Sequence, residues 1–151
     1  MGLIKRSSLQ TVQTGSLHLK DARGIPMMFT PEVGEGGKEP KPQPVIVTIY
    51  GPGSEQHRKA QQGAKQRILD LLRQADDEGR PREVSEEERF ANGADLLADT
   101  VESITGFDFE GLTQREFLRD LFADPSCGYI TDQVNAFAGD WANFYKGAAA
   151  A

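Results

Sequence analysis

The sequence predicts an α+β fold in which a small N-terminal antiparallel β portion leads into a C-terminal helical domain. Three observations carry that prediction. Val45 to Tyr50 reads VIVTIY, β-branched throughout except for its tyrosine, which is the composition of a strand. Apolar residues downstream recur at helical spacing behind sharp capping signals. Finally, the strands come first and the helices afterwards, the order of an α+β chain rather than of a parallel βαβ array.

Residues 1 to 14 are polar and carry few turn or helix signals, so they are read as a flexible arm. The β portion spans residues 15 to 53. Leu17 and Leu19 alternate with Ser16, His18 and Lys20, Asp21 to Gly24 supplies a turn, and Ile25 to Phe29 completes a hairpin. Residues 30 to 44, TPEVGEGGKEPKPQP, hold three glycines and four prolines and form a loop. The strand Val45–Tyr50 follows as the hairpin's partner.

Gly51-Pro52-Gly53 breaks that strand, and the Ser54 hydroxyl is placed to cap a helix expected from about residue 54 to 75. Ala60, Ala64, Ile68, Leu71 and Ala75 share one face of it, which is strongly apolar only in its second half. Asp76 to Val84, with Gly79 and Pro81, is a charged connection. Ser85 with Glu88 forms a capping box, and Phe90, Ala94, Leu97, Val101 and Ile104 continue as the buried face of that helix. Gly106 to Gly111 interrupts it. Thr113 with Glu116 makes a second capping box ahead of Phe117, Leu118, Leu121 and Phe122.

Asp124-Pro125-Ser126 introduces the last helix. There Ile130, Val134, Phe137, Trp141 and Phe144 recur at steps of four, three, four and three, within an arc of about 80°. This seam contains the only tryptophan and must bury itself against the rest of the fold or against a partner. The helical domain thus spans residues 54 to 147, and residues 148 to 151 form a frayed tail.

Composition narrows the chemistry. Seventeen basic against twenty-three acidic residues give a net charge of −6, which argues against direct nucleic-acid binding. Neither a signal-type apolar run nor a stretch of about 18 apolar residues for a membrane span occurs. Arg6 stands where a myristoylation signal would want Ser or Thr. A single cysteine, Cys127, excludes an intramolecular disulfide and suits a reducing cytoplasm.

No catalytic, cofactor or metal constellation is expected. His18, His57 and Cys127 form no recognised ligand spacing and no nucleophile–base arrangement. The Gly51-Pro52-Gly53-Ser54 turn superficially resembles a phosphate cradle, but no GxxxxGK[ST] motif is present and Pro52 has no N–H to offer. Asp76 with Asp77 reads as a solvated pair and Glu86 to Glu88 as complements of a helix dipole. Arg58, Lys59, Lys65, Arg67 and Arg73 give the first long helix a basic bias. The apolar seams, and with them protein contacts, are the remaining candidates for function.

The succession VIVTIYGPGSEQHRKAQ, a charged linker, ADLLADTVESITGFDFEG and EFLRDLFADPSCGYITDQVNAFAGDWANFY resembles the tail assembly chaperones of tailed bacteriophages. Members of that family place a strand before a GP(G/D)S turn and a KAQ-like helix. They close with a helix containing Gln-Val and ending in Asp-x-x-Asn-Phe, here Gln133-Val134 and Asp140 to Phe144. Phe107 and Phe109 stand near the bend where the family often carries a tryptophan.

The resemblance implies a non-enzymatic assembly factor of the bacterial host cytoplasm that needs no cofactor. It would bind the tape measure protein and help recruit tail-tube subunits, and a homo-oligomer is compatible with it. The seam Ile130, Val134, Phe137, Trp141 and Phe144 is then either fold-closing core or client contact. The alternative reading is a permanent virion component, a minor capsid, connector or tail protein, whose arms order against neighbours. A small phosphate-handling enzyme built on the Gly51–Ser54 turn is a third class.

Overall fold

The computed structural model describes residues 2–32, 35–74, 79–80 and 82–145. Its elements are β1 (Thr14–His18), β2 (Met28–Phe29), β3 (Gln43–Pro44), β4 (Ile46–Tyr50), α1 (Glu55–Arg73), α2 (Glu86–Asp99), β5 (Val101–Ile104), α3 (Gln114–Ala123) and α4 (Gly128–Ala138), joined by short 3₁₀ turns. The fold is α+β, with a three-stranded antiparallel sheet in the order β1-β4-β5 and a two-stranded β2-β3 ladder.

The expected hairpin forms around Leu19. Gly24, at φ 84°, donates to the Asp21 carbonyl, and Asp21 Oδ1 accepts the N–H groups of Arg23 and Ile25. An aspartate side chain bonding to the backbone two residues on is the usual device for a turn of this kind. The Arg23 guanidinium and these amides hold the Asp21 carboxyl below its ordinary pKa. Leu19 N–H then bonds to Val45, Met27 N–H to Leu19, and Val45 N–H to Met27. The loop expected over residues 30 to 44 yields its last two residues to β3.

Both capping boxes are present, each side-chain oxygen accepting the N3 amide while the N3 glutamate reaches back to the cap. Ser54 caps α1 by accepting the His57 N–H. The helix α1 ends at Arg73 with Gln74 as its C-cap, and Ala75, the Asp76-Asp77 pair and the tail from residue 148 lie outside the described residues.

Three expectations need correction. Phe90, expected on the buried face of α2, is 54% exposed, and Val101 and Ile104 do not continue that face as helix. The helix stops at Thr100, whose hydroxyl and N–H both bond to the Leu97 carbonyl, and the chain enters β5. Val47 faces Ile104 and Thr48 faces Ser103, but Ile49 faces Val101, so Glu102 is an extra, bulged residue. In a regular strand residues three apart point to opposite faces; the bulge brings both Val101 and Ile104 to the core. A bulged strand therefore imitates the i, i+3 spacing of a helix. Residues 54 to 147 are accordingly not all helical, and β5 ties them into the sheet.

The second correction concerns the arm. Val12 N–H donates to the Phe144 carbonyl at 2.6 Å, Gln13 accepts the Gly51 N–H, and Thr14 belongs to β1. The arm therefore ends near residue 10, and its Arg6–Leu9 stretch is a 3₁₀ turn. Third, the last helix breaks after Ala138. Gly139 forms its C-cap, Asp140 Oδ1 accepts the Ala142 N–H, and Trp141–Phe144 continue as a separate 3₁₀ turn.

One core joins the sheet to α2, α3 and α4. Leu19, Val47, Ile49, Leu118, Val134 and Phe144 are its largest fully buried side chains. The helix α1 lies outside this cluster. Its buried residues, Ala60 and Ala64, belong to its smaller, first half, and its main neighbour is α2. An ion-pair network fastens the helices together. Asp95 accepts from Arg115 and Arg119, while Asp99 accepts from Arg115 and has Arg67 at 3.9 Å.

Candidate functional site

The structure distributes the predicted seam between two environments. Ile130, Val134 and Phe144 are buried, Phe137 packs half-buried against the core, and Trp141 stands 55% exposed. The break at Gly139-Asp140 explains the split, because residues beyond it no longer share the helical phase of α4. Four of the five residues close the fold, and Trp141 alone presents a large apolar surface to solvent.

Phe144 sits where the glycines leave room. A Cβ on Gly51 would stand 2.7 Å from its Cδ1, and one on Gly15 would stand 3.0 Å from its Cε1 and from the Asn143 carbonyl oxygen. Glycine is required at both positions by close approach rather than by conformation. The Phe137 ring meets Phe144 edge-on with centroids 5.5 Å apart, a favourable aromatic geometry. Asn143 Nδ2 donates back to the Phe137 carbonyl and fixes the final turn. Each named position of the Asp-x-x-Asn-Phe motif thus serves the fold, since Asp140 caps, Asn143 ties back and Phe144 fills.

The Gln-Val pair works in the same way. Gln133 Oε1 accepts the Lys20 N–H at 2.7 Å and its Nε2 donates to the Lys20 carbonyl at 2.8 Å, a two-point clamp on the hairpin backbone. Val134 beside it is fully buried. The Gly51–Ser54 turn, read from the sequence as a superficial anion cradle, spends its polar groups internally. Ser54 N–H and Oγ both donate to the Gly51 carbonyl, and Oγ accepts the His57 N–H.

The isolated polar candidates are held apart. His18 Nε2 lies 2.8 Å from the Met27 carbonyl, a bond that fastens the hairpin. His57 lines a cavity of about 330 Å³ with Pro52, Gln61, Leu96 and Asn135; its Nδ1 is buried without a partner, and burial lowers its pKa. Cys127 Sγ lies 3.7 Å from Asp124 Oδ2, and bonds from Ser126 hold that carboxyl below its usual range. Glu88 is likewise lowered, chiefly by the Ser85 N–H and with help from Arg82. No group of three or more His, Cys, Asp or Glu side chains that could hold a metal occurs among the described residues. No described helix is long and apolar enough to cross a membrane.

Among the exposed apolar surfaces of the described residues, two border a groove. One surrounds Trp141, which borders a groove of about 440 Å³ with Leu9, Gln10, Thr11, Gln13 and Gly53. Beyond it the arm exposes Leu3 and Ile4 almost completely. The other lies on α1, where Leu69 and Leu72 are 46% and 42% exposed. Sequence reasoning grouped Ala60, Ala64, Ile68, Leu71 and Ala75 on one face of α1 and missed this flank. The signal was the adjacency of Ile68 to Leu69 and of Leu71 to Leu72, which widens the apolar stripe past what one neighbouring helix covers. It also missed the network at Asp95, foreshadowed by Asp95/Asp99 and Arg115/Arg119, both spaced i, i+4 on facing helices.

No family model matches the chain, and no curated protein or solved structure matches it either.

Proposed function

We propose that the protein is a tail assembly chaperone of a tailed bacteriophage, acting in the bacterial host cytoplasm by binding the tape measure protein and helping to recruit tail-tube subunits. The observation that supports this reading is convergence. The Gly51–Ser54 turn and the Asp140–Phe144 motif, far apart in sequence, meet at the Phe144 ring, while Gln133-Val134 locks the preceding helix, α4, to the hairpin. The segments that carry the family resemblance are thus parts of one structural unit, as a shared fold requires. The open apolar flanks give such a protein somewhere to hold an amphipathic helix through anchors spaced i, i+3, i+4.

Co-expression with the tape measure and tail-tube proteins of the same phage should yield a complex recoverable by affinity capture. A folded protein that captures neither overturns the assignment.

A second reading draws on the arm. Leu3, Ile4 and Leu9 are 96%, 78% and 70% exposed, an arrangement suited to a permanent virion component whose arm orders against a neighbour. Stoichiometric presence in purified particles favours that reading; absence from particles together with capture of the tape measure protein favours the chaperone.

A further inference from the structure

The α1 helix presents two unlike edges. Ala60 and Ala64 are buried and small, so α2 approaches closely along that side. On the neighbouring flank Gln61, Lys65, Ile68 and Leu72 follow at steps of four, three and four, with Leu69 beside them. At about 100° per residue these side chains form one stripe, the seam by which one helix receives another. Ala64, Lys65, Ile68, Leu69 and Asn92 line a groove of about 390 Å³ along it. No described element covers Leu69 or Leu72.

Charge selects the occupant. The α1 helix carries five of the chain's seventeen basic residues but only two of its twenty-three acidic ones, leaving the remainder strongly acidic. Arg58, Arg73 and Arg67 have carboxylates within reach in Glu55, Asp70 and Asp99. Lys59 acts electrostatically on Glu55, whereas Lys65, which lines the groove, has no ion pair among the described residues. An acidic-flanked helix is repelled by most of this molecule and attracted here. A second copy's α1 would bring like charges together.

We infer that the Lys65–Leu72 flank of α1 is a docking surface for an amphipathic helix with acidic flanks. This deepens the proposed function by giving the chemistry of the client, and it rests on that reading only for the client's identity. The partner seats apolar residues spaced i, i+3 and i+7 over Ile68, Leu69 and Leu72 and aims its carboxylates at Lys65.

Two labelled amphipathic peptides with the same leucine seam, one flanked by glutamates and one by lysines, test the surface by fluorescence anisotropy against the full chain. The glutamate peptide should bind at least about tenfold more tightly than the lysine peptide. The double variant Leu69→Ser/Leu72→Ser should lose at least about tenfold in affinity for it while keeping the wild-type circular dichroism melt. Lys65→Glu should weaken the glutamate peptide and strengthen the lysine peptide. Absence of binding, equal binding of both peptides, or binding indifferent to these variants overturns the inference. A dimer in sedimentation equilibrium that the leucine double variant dissociates also overturns it, because a second copy then fills the flank. Peptide binding without capture of a tape measure protein rejects the chaperone reading alone; capture that survives the leucine variants rejects this surface alone.

Discussion

The C-terminal joint and the α1 flank are both apolar, yet the molecule uses them in opposite ways. At the joint, Phe144 is enclosed by Gly15, Gly51 and Phe137, its carbonyl accepts the Val12 N–H, and Asn143 beside it bonds back to the Phe137 carbonyl. Along the flank, Leu69 and Leu72 stay nearly half open on a helix outside the main core. The conspicuous segment is therefore the structural one. Phe137, Phe144 and the motif-bearing Asp140 and Asn143 close the fold, while two ordinary leucines of α1 stand open.

Phe144→Ala puts this contrast under the greatest load. Removing a fully buried ring should cost about 3–5 kcal/mol, read as a lowered urea midpoint. A loss below about 1 kcal/mol would mean that the joint is not core. Gly51→Ala should destabilise by about 1–3 kcal/mol, because the added methyl meets the Phe144 ring and not open space. Gly63→Ala is the internal control. Its Cβ meets only the end of the Arg67 side chain, and alanine in a helix interior should stabilise by up to about 1 kcal/mol.

The flank supplies the converse measurement. Leu69→Ser/Leu72→Ser should change stability far less than Phe144→Ala, within about 0.5 kcal/mol per exposed site. Trp141, half exposed, should be readily quenched by acrylamide in the free protein; resistance to quenching would move it into the joint.

A weaker response is expected at His57. Burial lowers its folded pKa below the ordinary 6.5, so the unfolded chain takes up a proton first as the pH falls. The stability held by neutral His57 is complete above about pH 6.5 and declines below it until the folded pKa is passed. His57→Gln should flatten that decline, and the imidazole resonance should titrate below the value for an unfolded peptide. Titration at or above that value would show that the ring is not desolvated.

Local chemistry was legible in the sequence. Ser54, the Ser85–Glu88 and Thr113–Glu116 boxes and the Asp21–Gly24 turn are set by residues within four positions, and each forms as read. What escaped reading depended on distant partners. Val101 and Ile104 carry helical spacing, and only β4, arriving from far upstream, reveals that Glu102 is bulged out between them. In the last helix the apolar period runs straight through Gly139-Asp140, and the break there follows from the pocket that Gly15 and Gly51 open for Phe144. The seam was identified correctly as a set of apolar residues, but exposure of Trp141 and burial of the other four are tertiary facts.

The clamp of Gln133 on Lys20 joins residues 113 positions apart. Contacts of such separation cost loop-closure entropy before they return any stabilisation, so they form late. The neighbouring α2 and α3, linked through Asp95, make much more local contacts. A protein latched last is also unlatched first, and weakening the latch at Gln133 or Phe144 should quicken unfolding while leaving the refolding rate nearly unchanged in stopped-flow measurements. Its lifetime in the cell, and not only its equilibrium stability, is then set at the meeting of its two distant ends.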